Sequence, residues 1–236
     1  VQQLVFAWLA TGVFAASLAY FLYSYLFTFG VADPASSPRL WRPLLVNFVL
    51  FSLFAVHHSL FARTPIKRSV AAAVSPALER AVYTLIASVL FLLVCGAWRP
   101  LPGVLYALSA PWRWAGYAVQ FAGVVMTITS SRALDVLDLS GVRQVLTARS
   151  TGVLKPHRLE TGGVYGLVRH PLYFGWALFV FGAPDMTLTR FSFAVISTAY
   201  LALAIPFEER SLVETYGGDY LLYKERVRWK MLPGIY

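Results

Sequence analysis

Along the chain, long apolar runs alternate with short stretches that carry the charges, prolines and glycines. Six apolar segments stand out, at roughly 4–29, 43–62, 81–98, 112–131, 171–184 and 190–206. A bilayer core is crossed by about 20 helical residues, so the first four are long enough to span it. The last two are shorter and parted only by "APDMTLT", which predicts a tight helical hairpin. The pattern predicts an all-α integral membrane protein of about six transmembrane helices, four full spans plus a C-terminal hairpin, under a cytosolic helical cap. Two regions follow from it: a four-helix membrane region over 1–131, and a C-terminal region over 132–236. The second holds the longest polar stretch, 132–170, then the hairpin and a tail from about 207. In that tail Leu212, Tyr216, Tyr220, Tyr223 and Val227 recur at helical spacing. "GGD" at 217–219 interrupts the stripe, and Asp219 is expected to cap a new helix. By itself the stripe equally suits a helix lying on a membrane surface.

Composition strengthens the membrane reading. Of the 236 residues, 58% are hydrophobic and 13% charged, with a mean hydropathy of +0.63; soluble domains carry about 25% charged residues. The first apolar segment is too long for a secretory signal and leads into further spans. A net charge of +9 does not point to nucleic acid, because no basic-aromatic module of a known type accompanies it. The cations instead read as topology. With the N-terminus cytoplasmic, fifteen of the twenty lysines and arginines fall on the cytoplasmic side. That is a positive-inside bias, and it places both termini, the 132–170 loop and the stretch around residue 170 in the cytoplasm. The single Cys95, inside an apolar run, excludes an intramolecular disulfide and a cysteine-rich metal site.

Candidate chemistry is confined to three polar clusters. The sequence has no GKS or GKT phosphate loop, no GxGxxG, no HExxH and no GxSxG, so a nucleotide-like ligand would sit outside the usual soluble folds. The first cluster is "GGVYGLVRHPLYFGW". Pro171 suits the first turn of a helix, which puts His170 at the helix entry and Tyr173 one turn in. Arg169 adds a positive charge where anionic groups already bind well; an interfacial anchor is the competing reading. The second is "IPFEERSL", with Glu208 and Glu209 at a membrane boundary where carboxylates are costly and tend to have partners. The third comprises His57 and His58 together with Asp138, Arg143 and Gln144; a histidine on an apolar helix is more often a bonded core residue, and a charged loop is usually solvated. The hairpin returns residue 208 to the membrane face of residue 170. Donors on one wall and carboxylates on the other suit a zwitterionic, nucleoside-bearing ligand.

At these residues the chain resembles a known family. "GVYGLVRHPLYFGW" followed by "EERSLVETYGGDYLLY" is similar to the C-terminal half of the integral-membrane methyltransferases. That group includes isoprenylcysteine carboxyl methyltransferases and phospholipid N-methyltransferases. The shared pattern, G-x-Y-x-x-V-R-H-P-x-Y-x-G then E-E-x-x-L and (F/Y)-G-x-x-Y-x-x-Y, spans 162–223. Upstream, "HHSLFAR", "ERAVYTLIAS" and "DLSGVRQV" resemble the branch of bacterial methanethiol S-methyltransferases and nurim. The resemblance implies S-adenosylmethionine as cofactor, S-adenosylhomocysteine as product, and a small or lipid-linked thiol as acceptor. Carboxyl methylation of isoprenylcysteine and N-methylation of a phospholipid headgroup are alternatives, and a non-enzymatic membrane scaffold is the rival class. It implies that Val168, His170, Pro171, Tyr173, Glu208 and Glu209 bind the cofactor, and that Arg143, Arg169 and His58 are catalytic. Membrane lipids are the implied surroundings, in a bacterial inner membrane, with 132–236 as the catalytic region. One departure stands out: Arg228 occupies the place of a family proline.

Overall fold

The computed structural model describes residues 1–32, 40–60, 74–132, 137, 140–149 and 159–236. Asp138 and the loop cations Arg63, Lys67, Arg68, Lys155 and Arg158 lie outside the described residues. The chain forms two compact units, the described residues of Val1–Pro102 with Leu134–Pro156, and those of Gly103–Ala133 with His157–Tyr236.

In the first unit, α1 (Gln2–Tyr23) runs on through a wider π-helical turn, Ser24–Thr28, and is followed by α2 (Trp41–Leu60) and α3 (Glu79–Ala97). Small residues let α1 and α3 approach closely. Ala7 and Ala10 of α1 meet Ala81 of α3, and Val142 and Val145 of a short later helix join them. At Gly141 the chain turns with φ +85° only 2.6 Å, as a Cβ would see it, from the Ala81 amide nitrogen; a side chain there has neither the backbone conformation nor the room. Phe91 of α3 packs between Phe21 and Phe54, with tilted rings at 5.5 and 5.1 Å. Where α3 ends, the buried Asn47 side chain donates to the Arg99 carbonyl at 2.9 Å and accepts from the Arg99 amide at 2.7 Å. It thereby satisfies backbone groups that lipid would leave unpaired.

The second unit carries β1 (Val104–Ala107), α4 (Trp112–Arg132), a 3-10 turn at Gly163–Gly166, α6 (Pro171–Phe181), β2 (Asp185–Thr187), α7 (Leu188–Tyr216) and α8 (Gly218–Arg226); α5 (Val142–Arg149) is the short helix of the first unit. Its packing centre is the contact between α4 and α6. A Cβ on Gly123 would stand 2.6 Å from the Gly175 carbonyl oxygen and the Phe179 nitrogen, so the two backbones touch only because both positions are glycine. Gln120 donates to the Phe179 carbonyl at 3.1 Å across the same seam.

Each of the six apolar segments carries a helix within its described residues, and several details differ from expectation. Three described helical stretches are long and apolar enough to cross a membrane, namely Gln2–Thr28, Glu79–Ala97 and Leu188–Tyr216. The chain is a helical integral membrane protein, and α6, about 16 Å long by its 11 residues, is too short to span alone. The "APDMTLT" connection is not a bare loop: β2 pairs antiparallel with β1, Val104 opposite Thr187 and Ala107 opposite Asp185. The last apolar segment does not end near 206 either, because α7 continues through Pro206 to Tyr216. Asp219 lies in the first turn of α8 while Gly217 is its cap residue, and no side-chain capping bond forms. The tail stripe turns inward, with Tyr220, Tyr223 and Val227 buried against Leu159, Tyr165, Leu212, Val213 and Tyr216.

Gly123→Ala is expected to lower the melting temperature of the detergent-solubilised protein, by an overpacking cost of about 1–3 kcal/mol. Gly12→Ala, where a Cβ meets nothing within 4 Å, is expected to leave it unchanged, and equal melting of both variants would overturn the close-contact reading.

Candidate active site

The site grows from the entry of α6. Pro171 occupies the first helical position and His170 the cap, as the sequence predicts. Because proline cannot continue a helix backwards, the residues just before it are non-helical, and their amides are left to find partners outside the helix. They find the C-terminal segment: the Arg169 amide donates to the Trp229 carbonyl at 2.9 Å and the His170 amide to Lys230 at 2.8 Å. The Arg169 guanidinium completes the clasp, its Nη1 donating to the carbonyls of Val227 and Arg228 at 2.7 and 2.8 Å. Four consecutive carbonyls, 227 to 230, are thus turned onto residues 169 and 170. Position 228 contributes its carbonyl to this clasp and its side chain is exposed.

Beneath the clasp lies an ion pair. Arg169 Nε donates to Glu209 Oε1 at 2.7 Å, with the two side chains 5% and 7% exposed. Pairing of this kind offsets the cost of taking two charges out of water only when hydrogen bonds satisfy the remaining atoms. Here Lys224 Nζ, from α8, stands 3.4 Å from Glu209 Oε2, and His170 Nε2 stands 3.5 Å from Oε1. Glu209 therefore ties α6, α7, α8 and, through Arg169, the final segment together.

Glu208, its neighbour, does something different. Its side chain is 44% exposed, accepts a 2.8 Å hydrogen bond from the Tyr173 hydroxyl, and lies 3.5 Å from His170 Nδ1. Adjacent residues on a helix point about 100° apart, which is how one carboxylate is buried and the next opens to solvent. The imidazole of His170 presents one nitrogen to each, with its ring stacked on Tyr173 at 5.4 Å. Val168 and Pro171 are buried on either side. The Tyr223 hydroxyl donates to the Tyr165 carbonyl at 2.7 Å; burial pushes its pKa well above the ordinary phenol value, so it remains a donor. Tyr165 in turn reaches the Ser130 carbonyl at 3.3 Å, fixing the approach to the α6 entry.

Of the sequence-predicted site residues, Val168, Arg169, His170, Pro171, Tyr173, Glu208 and Glu209 come together in the second unit. His58 and Arg143 belong to the first. There His58 Nδ1 is 2.8 Å from the Tyr83 hydroxyl, and Arg143 is exposed in the first turn of α5. Lys224 and the carbonyls of 227–230 were not singled out by sequence. The signal for Lys224 was available, one helical turn after Tyr220 on the inward stripe. No sequence signal marks a carbonyl. An apolar groove of about 580 Å³ runs along α1 between Val1 and Val13, and none of these residues lines it.

This geometry can be set beside known proteins. No protein-family model matches the chain, and no solved structure matches it at a significant level. Curated sequences do. Methanethiol S-methyltransferase 2 of Bradyrhizobium diazoefficiens is 34% identical over 233 residues, covering 94% of this chain and 90% of that protein. The chain belongs to the methanethiol S-methyltransferase family. The Mycobacterium tuberculosis methanethiol S-methyltransferase is 32% identical over 223 residues, covering 90% of this chain and 91% of its own length. Nurim of Danio rerio is 29% identical over 174 residues, covering 69% and 62%. As a member of this family the chain is a methyltransferase embedded in the membrane, and the Arg169–Glu209 cluster is its polar centre in the second unit.

Arg169→Gln is expected to destabilise the protein by about 3–5 kcal/mol, since it leaves Glu209 buried with its principal partner gone. It should also free the last segment, read as faster tryptic cleavage after Arg228 and Lys230 than in wild type by mass spectrometry. Equal cleavage rates would mean that other contacts hold the segment.

Proposed function

We propose that the chain transfers the methyl group of S-adenosylmethionine to a thiol, with the cofactor held at the rim of the Arg169–Glu209 cluster. The observation that carries this reading is the pair of unlike carboxylates at the α6 entry, one buried on an arginine and one exposed beside a tyrosine and a histidine. The exposed one is free to meet a ligand. The residues suit such a molecule: Glu208 offers acceptor atoms to a ribose diol or to positive charge, and Lys224, beside Glu209, offers donors. The buried Nε2 of His170 has only the long contact to Glu209.

When bound, S-adenosylmethionine supplies a methyl group already activated on a sulfonium. The sulfonium–methyl bond breaks as the thiol sulfur takes the methyl, leaving a thioether, and the thiol proton passes to solvent. The protein's task is then to orient the two sulfurs and limit water between them. In this reading Glu208 and Tyr173 orient the ligand, and the stacked rings of His170 and Tyr173 wall it. Val168 and Pro171 fix the turn that presents those rings. Arg169 and Glu209 are positioning residues: they hold the C-terminal segment over the α6 entry and keep Glu208 at its angle.

The membrane arrangement we favour has six membrane elements with both termini cytoplasmic, in a bacterial inner membrane, as the placement of lysine and arginine supports. α4 illustrates why average hydropathy understates a span. Trp114, Tyr117, Phe121, Val125 and Ile128 form an exposed apolar stripe along it, while Gly116, Gln120 and Gly123, turned toward α6, lower the mean. The stripe suits acyl chains.

Purified protein given S-adenosylmethionine and methanethiol is expected to yield dimethyl sulfide by gas chromatography. A folded preparation that binds S-adenosylhomocysteine but methylates isoprenylcysteine or a phospholipid amine instead would overturn the thiol assignment. Glu208→Gln is expected to weaken S-adenosylhomocysteine binding about tenfold without changing the melting temperature, because Glu208 is exposed.

A further inference from the structure

Helix α8 brings two polar groups to the cluster that the interactions so far leave with donors to spare. Lys224 is 36% exposed, and its ammonium reaches Glu209 Oε2 at 3.4 Å. An ammonium carries three donors, and this contact takes one. One turn earlier on the same face of the helix stands Tyr220, which is 1% exposed and whose hydroxyl has no hydrogen-bond partner. Its ring packs beside Tyr223 at 5.8 Å, on the inward side of α8. Leaving a buried hydroxyl unbonded is unfavourable, and native proteins rarely do so without a use for it. Burial first, and then the charge of Glu209, raise the Tyr220 pKa above the ordinary phenol value, so the hydroxyl keeps its proton at neutral pH.

Two donor groups on one face, a cation with donors beyond the one on Glu209 and a hydroxyl with no partner, suit an acceptor that is anionic. We propose that Lys224 and Tyr220 form a subsite for the carboxylate of an α-amino acid group carried by the nucleoside ligand. The proposal rests on the S-adenosyl reading of the same site and adds which end of the ligand lies against α8. Glu208, on the other side of His170, is then left for the nucleoside end. Lys224 is the outer contact, at the edge open to solvent, and offers the donors not spent on Glu209; Tyr220 is the inner one.

The test compares S-adenosylhomocysteine with 5′-methylthioadenosine, a nucleoside thioether that lacks the amino acid. Calorimetric affinities are measured on the full chain in detergent for wild type, Lys224→Met, Lys224→Arg and Tyr220→Phe, with melting temperatures alongside. Lys224→Met is expected to weaken S-adenosylhomocysteine at least about tenfold and Tyr220→Phe several-fold, while neither changes the affinity for 5′-methylthioadenosine. Lys224→Arg keeps the charge and should retain most of the preference. Tyr220→Phe should melt at or above wild type, since it removes an unbonded hydroxyl. Equal losses for both ligands would mean that α8 only supports the fold, and unchanged affinities would remove the subsite. If Lys224→Met fails to fold, Lys224→Arg and Tyr220→Phe still decide the question. Wild type that binds neither nucleoside would overturn the cofactor reading itself, which the wild-type titration shows before any variant is made.

Discussion

The second unit depends on one buried ion pair. Arg169 and Glu209 lie forty residues apart, and their 2.7 Å contact joins the entry of α6 to the far part of α7. An unpaired charge in so dry a place would be costly, so neither residue is tolerable without the other. The guanidinium, having taken the carboxylate on Nε, uses Nη1 for the carbonyls of Val227 and Arg228. The C-terminal segment is thus held by the same cation that settles Glu209. Farther on, Lys230 lies over the Tyr236 ring at 4.3 Å, and the Tyr236 hydroxyl reaches the Ala202 carbonyl at 3.3 Å. The segment is fastened to α6 at one end and to α7 at the other.

That arrangement separates two roles usually merged when adjacent acidic residues are read as a pair. Glu209 is nearly dry and held by Arg169, while Glu208 is exposed with a tyrosine hydroxyl on it. His170 lies between them and relates one to the other.

Packing elsewhere follows a related rule. In lipid there is no water-driven gain from bringing two apolar helices together, so association depends on close fit and on satisfied polar groups. The glycines at the α4–α6 crossing and the alanines between α1 and α3 provide the fit. Asn47 on Arg99 and Gln120 on Phe179 provide polar satisfaction of backbone groups. The apolar side chains on the outer faces are those the bilayer would cover.

The positions of the helices were legible in the sequence, because lipid demands runs of apolar residues of a set length. The start of α6 was legible from His170–Pro171, since proline's missing N–H suits one helical position and few others. The residues that gather at the α6 entry, from Val168 to Glu209, stood out in the sequence as a motif. Their roles did not. Glu208 and Glu209 are the same residue type side by side, and only the direction each takes from α7 makes one buried and the other open. The continuation of α7 past Pro206 was hidden, because a local breaker signal is overridden when tertiary partners hold the next turns. The tail stripe fixed a helical face in the sequence, but its direction, toward Tyr165 rather than toward a membrane surface, required the partner to be in place. The strap of carbonyls at 227–230 was invisible for a simpler reason. Every residue carries a carbonyl, so composition and spacing determine which segments exist, and only the folded chain decides which backbone atoms meet Arg169.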